Sequence, residues 1–183
     1  MLRKQSLADL SQRDEYGNMR CIIETPKGSG IKYRYNAQFD CLEVAKVLPI
    51  GMLFPFDFGF FPSTLAEDGD PLDVAVLIDR PCVAGCLLAV KIIGAIEARQ
   101  KSEERWIRND RIFAVSLRSP TYGQVGSIHD LPRRWLDDVR AFFLNYAQLT
   151  GRELEIIGEH GASKTNDLID KAITAHKSKH NSN

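Results

Sequence analysis

The chain has 183 residues, 44% of them hydrophobic, with 24 Lys and Arg set against 24 Asp and Glu. That is enough apolar material for a buried core, and a formal charge of zero gives no long-range field to draw in nucleic acid or an anionic membrane. A membrane span needs roughly 18 to 20 apolar residues in a row, and the greasiest stretch, Val83 to Ile96, is broken by Gly85, Lys91 and Gly94. Near the N-terminus, Gln5, Ser6, Asp9, Gln12, Arg13 and Asp14 leave no apolar segment for a secretory signal, so a cytoplasmic location is expected. The cysteines, Cys21, Cys41, Cys82 and Cys86, show no CxxC or zinc spacing and are expected to be reduced and mostly buried.

Proline and glycine punctuate the first two-thirds at short intervals, which leaves segments of strand length. Arg20 to Thr25, Ile31 to Tyr35, Phe39 to Leu48, Asp73 to Asp79, Cys86 to Glu97 and Arg111 to Leu117 are rich in Ile, Val, Tyr and Phe, and this part reads as a small barrel or curled sheet. Alternation in the second of these puts Lys32 and Arg34 on one face, two cations side by side. The charged stretch Lys101, Glu103, Glu104, Arg105 and Arg108 reads as a solvated loop. In the last third the period changes: Leu136, Val139, Phe142, Phe143, Tyr146 and Leu149 predict an amphipathic helix from Pro132 to Thr150, ended by Gly151. A strand over Glu153 to Gly158 and a helix from Ser163, as N-cap, to Lys177 complete the elements. Without repeats or linkers, residues 1–183 read as a single α+β domain, with 1–19 an N-terminal extension and 178–183 a disordered tail.

The stretch Asp68-Gly69-Asp70-Pro71-Leu72-Asp73 gathers three carboxylates at the entrance to an apolar strand. Carboxylates so close repel one another unless a cation or proton intervenes, and a hard divalent ion is the natural partner of oxygen ligands. An EF-hand is excluded, because Leu72 holds loop position five, Asp73 replaces the required Gly and Asp79 stands in place of the terminal Glu. A solvated turn is the plainer reading of such a sequence. Glu24, Lys32, Arg34, Lys46, Arg111 and Tyr146 add phosphate-holding and metal-holding types to it. Hydrolysis of a phosphoanhydride needs that mixture, with metal ions to neutralise oxygens and cations to stabilise the leaving phosphate.

The segments Phe54-Pro55-Phe56-Asp57-Phe58-Gly59-Phe60 and Asp68-Gly69-Asp70-Pro71-Leu72-Asp73-Val74 resemble the signature region of the soluble family I inorganic pyrophosphatases. Ile23-Glu24-Thr25-Pro26, Ile31-Lys32-Tyr33 and Phe142-Phe143-Leu144-Asn145-Tyr146 extend the resemblance in the same order. It implies a five-stranded OB-like β-barrel with additional strands and two C-terminal helices, several Mg²⁺ ions, pyrophosphate as substrate, and a homo-oligomer, hexameric in prokaryotic members. By resemblance, Asp68 and Asp73 bind metal, Glu24 holds a metal mostly through water, and Asp70 takes the proton of the attacking water. Lys32 and Tyr146 bind phosphate, with Lys46 and Arg111 at positions where the family has Arg and Lys.

Several positions depart from the family pattern. Arg34 replaces a glutamate, Phe58 and Phe54 replace tyrosines, and Ala147 replaces a phosphate-binding lysine; Gln100 and Asn109 fall where two metal-binding aspartates are expected, with Glu97, Glu103, Glu104 or Asp110 as substitutes. Losing carboxylates and gaining an arginine implies fewer metal ions than is usual, with Arg34 supplying part of the missing positive charge, and a lowered activity. Hydrolysis of another phosphoanhydride, such as a nucleotide or short polyphosphate, and a non-catalytic metal or phosphate-binding relic are the alternatives. Nucleic-acid binding by the barrel is disfavoured by the balanced charge, and Phe54, Phe56, Phe58, Phe60 and Phe61 are expected in the core.

Overall fold

The structure, a computed structural model, describes residues 6–102 and 104–181. Nine strands, two α-helices and two 3₁₀ turns follow in the order β1 Met19–Thr25, β2 Ile31–Asn36, β3 Cys41–Val47, β4 Asp57–Phe60, β5 Asp73–Leu77, β6 Leu87–Ser102, β7 Arg105–Arg108, β8 Arg111–Ser116, α1 Arg133–Leu149, β9 Leu154–Gly161 and α2 Ala162–Asn181, with the turns at Leu7–Asp9 and Ile128–Asp130. Five of the strands close a ring: β1 pairs with β4, β4 with β5, β5 in parallel with β8, β8 with β6, and β6 returns to β1. This is the OB-like barrel of an α+β fold, and the β2–β3 hairpin stands beside it as a separate two-stranded sheet.

Between Asp73 and Arg111 at their starts and Ser116 at the end of β8, strands β5 and β8 are apolar on both faces because both faces are covered. Val74, Val76, Ile112 and Ala114 enter one core with Ile169, Ala172 and Ile173 of α2, whereas Ala75, Leu77, Phe113 and Val115 enter a second with Leu136, Val139 and Phe143 of α1. Each fully buried side chain of this size contributes about 1.5–3 kcal/mol, so the alternating pattern along two strands anchors both helices. Helix α1 starts after Pro132 and ends at Thr150, where Gly151 takes φ +71°, as the sequence predicts. All five phenylalanines between Phe54 and Phe61 are buried.

Strand β6 leaves the barrel halfway. Residues 87–96 pair with β1 and β8, and residues 94–102 pair with β9 and β7. The change of direction falls at Gly94, where φ is +152° and a Cβ would sit 2.5 Å from the carbonyl oxygen of His160. At Gly59 the constraint is tighter: β4 lies so close to β1 that a Cβ would come 1.8 Å from the Ile22 carbonyl oxygen.

Four expectations are corrected. Residues 101–108 are not a loop: β6 and β7 form a hairpin, with Lys101 opposite Trp106 and the Arg99 guanidinium 5.0 Å from the Trp106 ring; Glu103 lies outside the described residues. Residues 178–181, expected as disordered tail, are the end of α2, while 182–183 lie outside the described residues. Ser163 is not an N-cap, since α2 begins at Ala162, directly after β9. Of the cysteines, all free, Cys21 is buried, Cys82 and Cys86 are partly exposed and Cys41 is exposed.

Candidate active site

The acidic turn sits at the mouth of the barrel and is closed by its own backbone. Ala66 N donates to Asp70 O at 2.8 Å, Leu72 N to Thr64 Oγ1 at 2.9 Å, and Gly69 adopts φ +90° at the apex. Leu72 is buried, which sets Asp73 at the start of β5 with its carboxylate facing the opening. Asp68, Asp70 and Asp73 thereby form the acidic wall of a small pocket of about 90 Å³, which Lys32 from β2, Arg111 from β8 and Tyr146 from α1 also line.

Behind the acidic wall, Glu24, next to last in β1, is 7% exposed and accepts a 2.6 Å hydrogen bond from Tyr35 N. Burial, reinforced by the charges of Asp73 and Asp70 and opposed by the Tyr35 N–H and Lys32, pushes its pKa up to about 7. The Asp68 carboxyl is likewise raised, first by burial and then by Asp73 and Asp70. For the metal-free protein the sign is determined. Native Glu24 keeps a proton that the unfolded chain releases near pH 4.5, so stability falls as pH rises from about 4.5 to 7 and levels off above. Urea denaturation in chelator is expected to show a loss on the order of 3 kcal/mol across that window, absent in Glu24→Gln.

The cationic wall is equally crowded. Lys46 stands opposite Lys32 in the β2–β3 register, and its pKa is lowered by burial and by the charges of Arg152 and Lys32. Lys32 Nζ lies 5.3 Å from the centroid of the Phe58 ring. Arg111 is nearly enclosed: NH1 reaches Asp73 Oδ2 at 3.1 Å and bonds Asn109 Oδ1, its guanidinium carbon lies 5.5 Å from the Phe143 ring, and Nε is buried with no hydrogen-bond partner.

Most of the residues expected from sequence converge here, and some stand aside. Lys32, Asp68, Asp70, Asp73, Asn109, Arg111 and Tyr146 line the pocket, as do Gln100 and Ala147. Arg34 sits on the exposed hairpin, bound to Glu43 at 2.8 Å, within electrostatic reach of Asp70 and Glu24. Asp110 turns away: Arg108 Nε holds its carboxylate at 2.8 and 2.9 Å, and Ala98 N donates to it at 3.0 Å. Glu97 is engaged by Lys164 at 2.6 Å and Arg108 at 3.1 Å, which hold its pKa low. The pocket also contains Arg152, which sequence reasoning missed. The signal was Gly151, whose left-handed turn after α1 lets Arg152 N fold back to Ala147 O at 2.8 Å. A larger cavity of about 600 Å³ adjoins the pocket along α2, sharing Asp68, Asp73 and Asn109.

The residues present fit divalent cations. Three carboxylates line one opening with Glu24 behind them, and the pKa values of Glu24 and Asp68 are raised first by burial and then by Asp73 and Asp70, a penalty that a hard cation relieves. Among the described residues no three of them bring oxygens within 4.8 Å of one another. That spacing suits Mg²⁺, which keeps several waters and takes one or two carboxylates together with substrate oxygens.

Comparison with known proteins agrees with this geometry. Residues 21–177 match the family model described as "Inorganic pyrophosphatase". The chain is 32% identical over 171 residues to the inorganic pyrophosphatase of Synechocystis, covering 93% of this chain and 99% of the relative. With that of Halalkalibacterium halodurans it shares 33% over 159 residues, or 87% and 95% of the two chains. The crystal structure of inorganic pyrophosphatase from Thermus thermophilus superposes with a TM-score of 0.87 at 28% identity, covering 94% of this chain and 99% of the other. The chain belongs to the inorganic pyrophosphatase family of hydrolases.

Proposed function

We propose that the protein hydrolyses inorganic pyrophosphate to two phosphates in a Mg²⁺-dependent reaction. The observation that carries this reading is the pocket's mixed lining, which brings the carboxylates of Asp68, Asp70 and Asp73 together with Lys32, Arg111 and Arg152, while Lys46 stands beside Lys32 in the hairpin. Arg111 Nε, buried without a partner, is a donor for a phosphate oxygen.

Asp68, Asp73 and Glu24 would hold the metal ions. Bound there, Mg²⁺ supplies neutralisation of the phosphate oxygens and a lowered pKa of attacking water. The remaining work is done by side chains. Asp70, at the tip of the acidic turn, accepts the proton of a water attacking one phosphorus in line. The new P–O bond forms as the bridging P–O bond breaks, and the departing phosphate carries the bridging electrons toward Lys32, Arg111 and Tyr146. No enzyme nucleophile takes part, so no covalent intermediate forms.

The metal complement is proposed to be smaller than is usual for the family. Asn109 offers an amide in place of a carboxylate and its oxygen is already bound by Arg111, while Gln100 brings no charge. Phosphate release should be fast with pyrophosphate and Mg²⁺, at background level in chelator, and at least 100-fold slower with nucleoside triphosphate or triphosphate. Equal rates on a nucleotide would favour the broader phosphoanhydride hydrolase, and pyrophosphate binding without release would favour a relic. Calorimetric titration with Mg²⁺ gives the number of ions, and the full family complement would overturn the reduced count.

A further inference from the structure

Near the C-terminal end of α2, the N-terminal segment is fastened to the body of the protein. Ser63 N donates to Ala8 O at 2.7 Å, Ser63 Oγ donates to Leu10 O at 2.9 Å, and Leu7 N donates to Tyr35 Oη at 3.2 Å. These bonds, to Ser63 and Tyr35, fix the turn Leu7–Asp9, and Asp9 lies beside His176 and His180 near the end of α2. His176 and His180, four residues apart, share one face of that helix. One ligand atom from each of Asp9, His176 and His180 lies within 4.8 Å of the others, and among the described residues no other three His, Cys, Asp or Glu groups converge so closely.

The two imidazoles stack with centroids 4.1 Å apart. His180 Nδ1 lies 3.1 Å from the carbonyl oxygen of His176. A carbonyl can only accept, so Nδ1 carries the proton and Nε2 keeps its lone pair. A ring N–H donated to a backbone carbonyl, with the other nitrogen left basic, is the arrangement usual in metal-ligating histidines. His176 is half-buried while Asp9 and His180 are exposed, which gives an ion a route in from solvent. None of the three lines the pocket that holds Asp70 and Lys32.

We propose that Asp9, His176 and His180 bind a single transition-metal cation, Zn²⁺ in the first instance, which ties the N-terminal segment to the C-terminal helix. Two imidazole nitrogens and one carboxylate oxygen select Zn²⁺ and its neighbours over Mg²⁺, which demands an oxygen shell. Zinc bonds of about 2.0–2.1 Å at tetrahedral angles bring ligand atoms to about 3.3 Å from one another. Rotation of the exposed Asp9 side chain toward the two rings closes the difference while the Nδ1–H bond of His180 is kept. A water completes the four ligands. The site is then a clasp between two ends of the chain that lie far apart in sequence.

The test is Zn²⁺ titration of the full chain by calorimetry in a large excess of Mg²⁺, which keeps the pyrophosphatase site occupied, with Co²⁺ as a spectroscopic substitute. Wild type is expected to bind one more equivalent than His180→Ala and Asp9→Asn, and Co²⁺ in that equivalent should show visible absorption of tetrahedral intensity. Mg²⁺-dependent hydrolysis in both variants should remain within twofold of wild type, which reports that they are folded. Zn²⁺ should also slow amide exchange over residues 6–13 in wild type alone. Equal stoichiometry in wild type and both variants would overturn the proposal, whatever the outcome for pyrophosphate hydrolysis.

Discussion

Asp70→Asn is expected to lower the rate of pyrophosphate hydrolysis by about 10² to 10⁴-fold while leaving the fold and substrate binding intact. Asp70 is exposed at the tip of the turn, and the contact that closes the turn is its backbone oxygen, bonded by Ala66 N, which the substitution retains. The amide keeps the shape and hydrogen-bonding reach of the carboxylate but cannot accept the water's proton. Steady-state phosphate release, together with pyrophosphate binding by calorimetry and a thermal melt, separates this from simple loss of structure. A variant that retains more than a tenth of wild-type turnover would remove Asp70 from the role of base and return it to charge balance.

Gly59→Ala should have the largest effect on stability. The added Cβ would lie 1.8 Å from the Ile22 carbonyl oxygen and 2.9 Å from Ile23 Cα, both backbone atoms of the neighbouring strand, so no side-chain rotation relieves the clash. β4 would have to separate from β1 at the centre of the barrel, at a cost of about 4 kcal/mol or more. Gly28→Ala is the matched control: its φ of +83° is unfavourable for alanine, but nothing lies within 4 Å, and the loss should be about 1 kcal/mol. Urea denaturation midpoints of the two variants against wild type decide the point, and similar losses would show that strand spacing is not the constraint.

The sequence made the acidic turn, the α1 periodicity and the β2 alternation readable because each is a local pattern whose meaning does not depend on distant residues. Strand β4 was not readable as a strand: its four residues, Asp57-Phe58-Gly59-Phe60, include a carboxylate and a glycine, and pairing with β1 on one side and β5 on the other makes them a strand. The β6–β7 hairpin was hidden for the opposite reason, since its charged residues look like loop and its order comes from cross-strand contacts such as Arg99 on Trp106. Within the site, the carboxylate count of the 97–110 region could be read, but the commitment of Asp110 to Arg108 and Ala98 could not, because β6 supplies one of those partners. Arg152 and the pairing of Asp9 with α2 likewise depend on where a turn or helix end arrives in space. Helix α2 runs past Lys177 through a polar stretch whose composition alone gives no reason to continue.

Ring closure through β6 has a consequence during synthesis. β1 can pair with β4 soon after both leave the ribosome, but its other edge stays open until β6 emerges, about 60 residues after β1 ends. At about 5–20 residues per second that interval lasts roughly 3 to 12 s. β8 must then enter between β5 and β6 before the ring is complete. For those seconds the nascent chain presents unpaired edges flanked by Ile22, Ile23 and Val74, which can pair with another chain as readily as with its own later strands. The parallel contact between β5 and β8, which suits the finished barrel, thus leaves the emerging one with open strand edges until β8 has been made through Ser116.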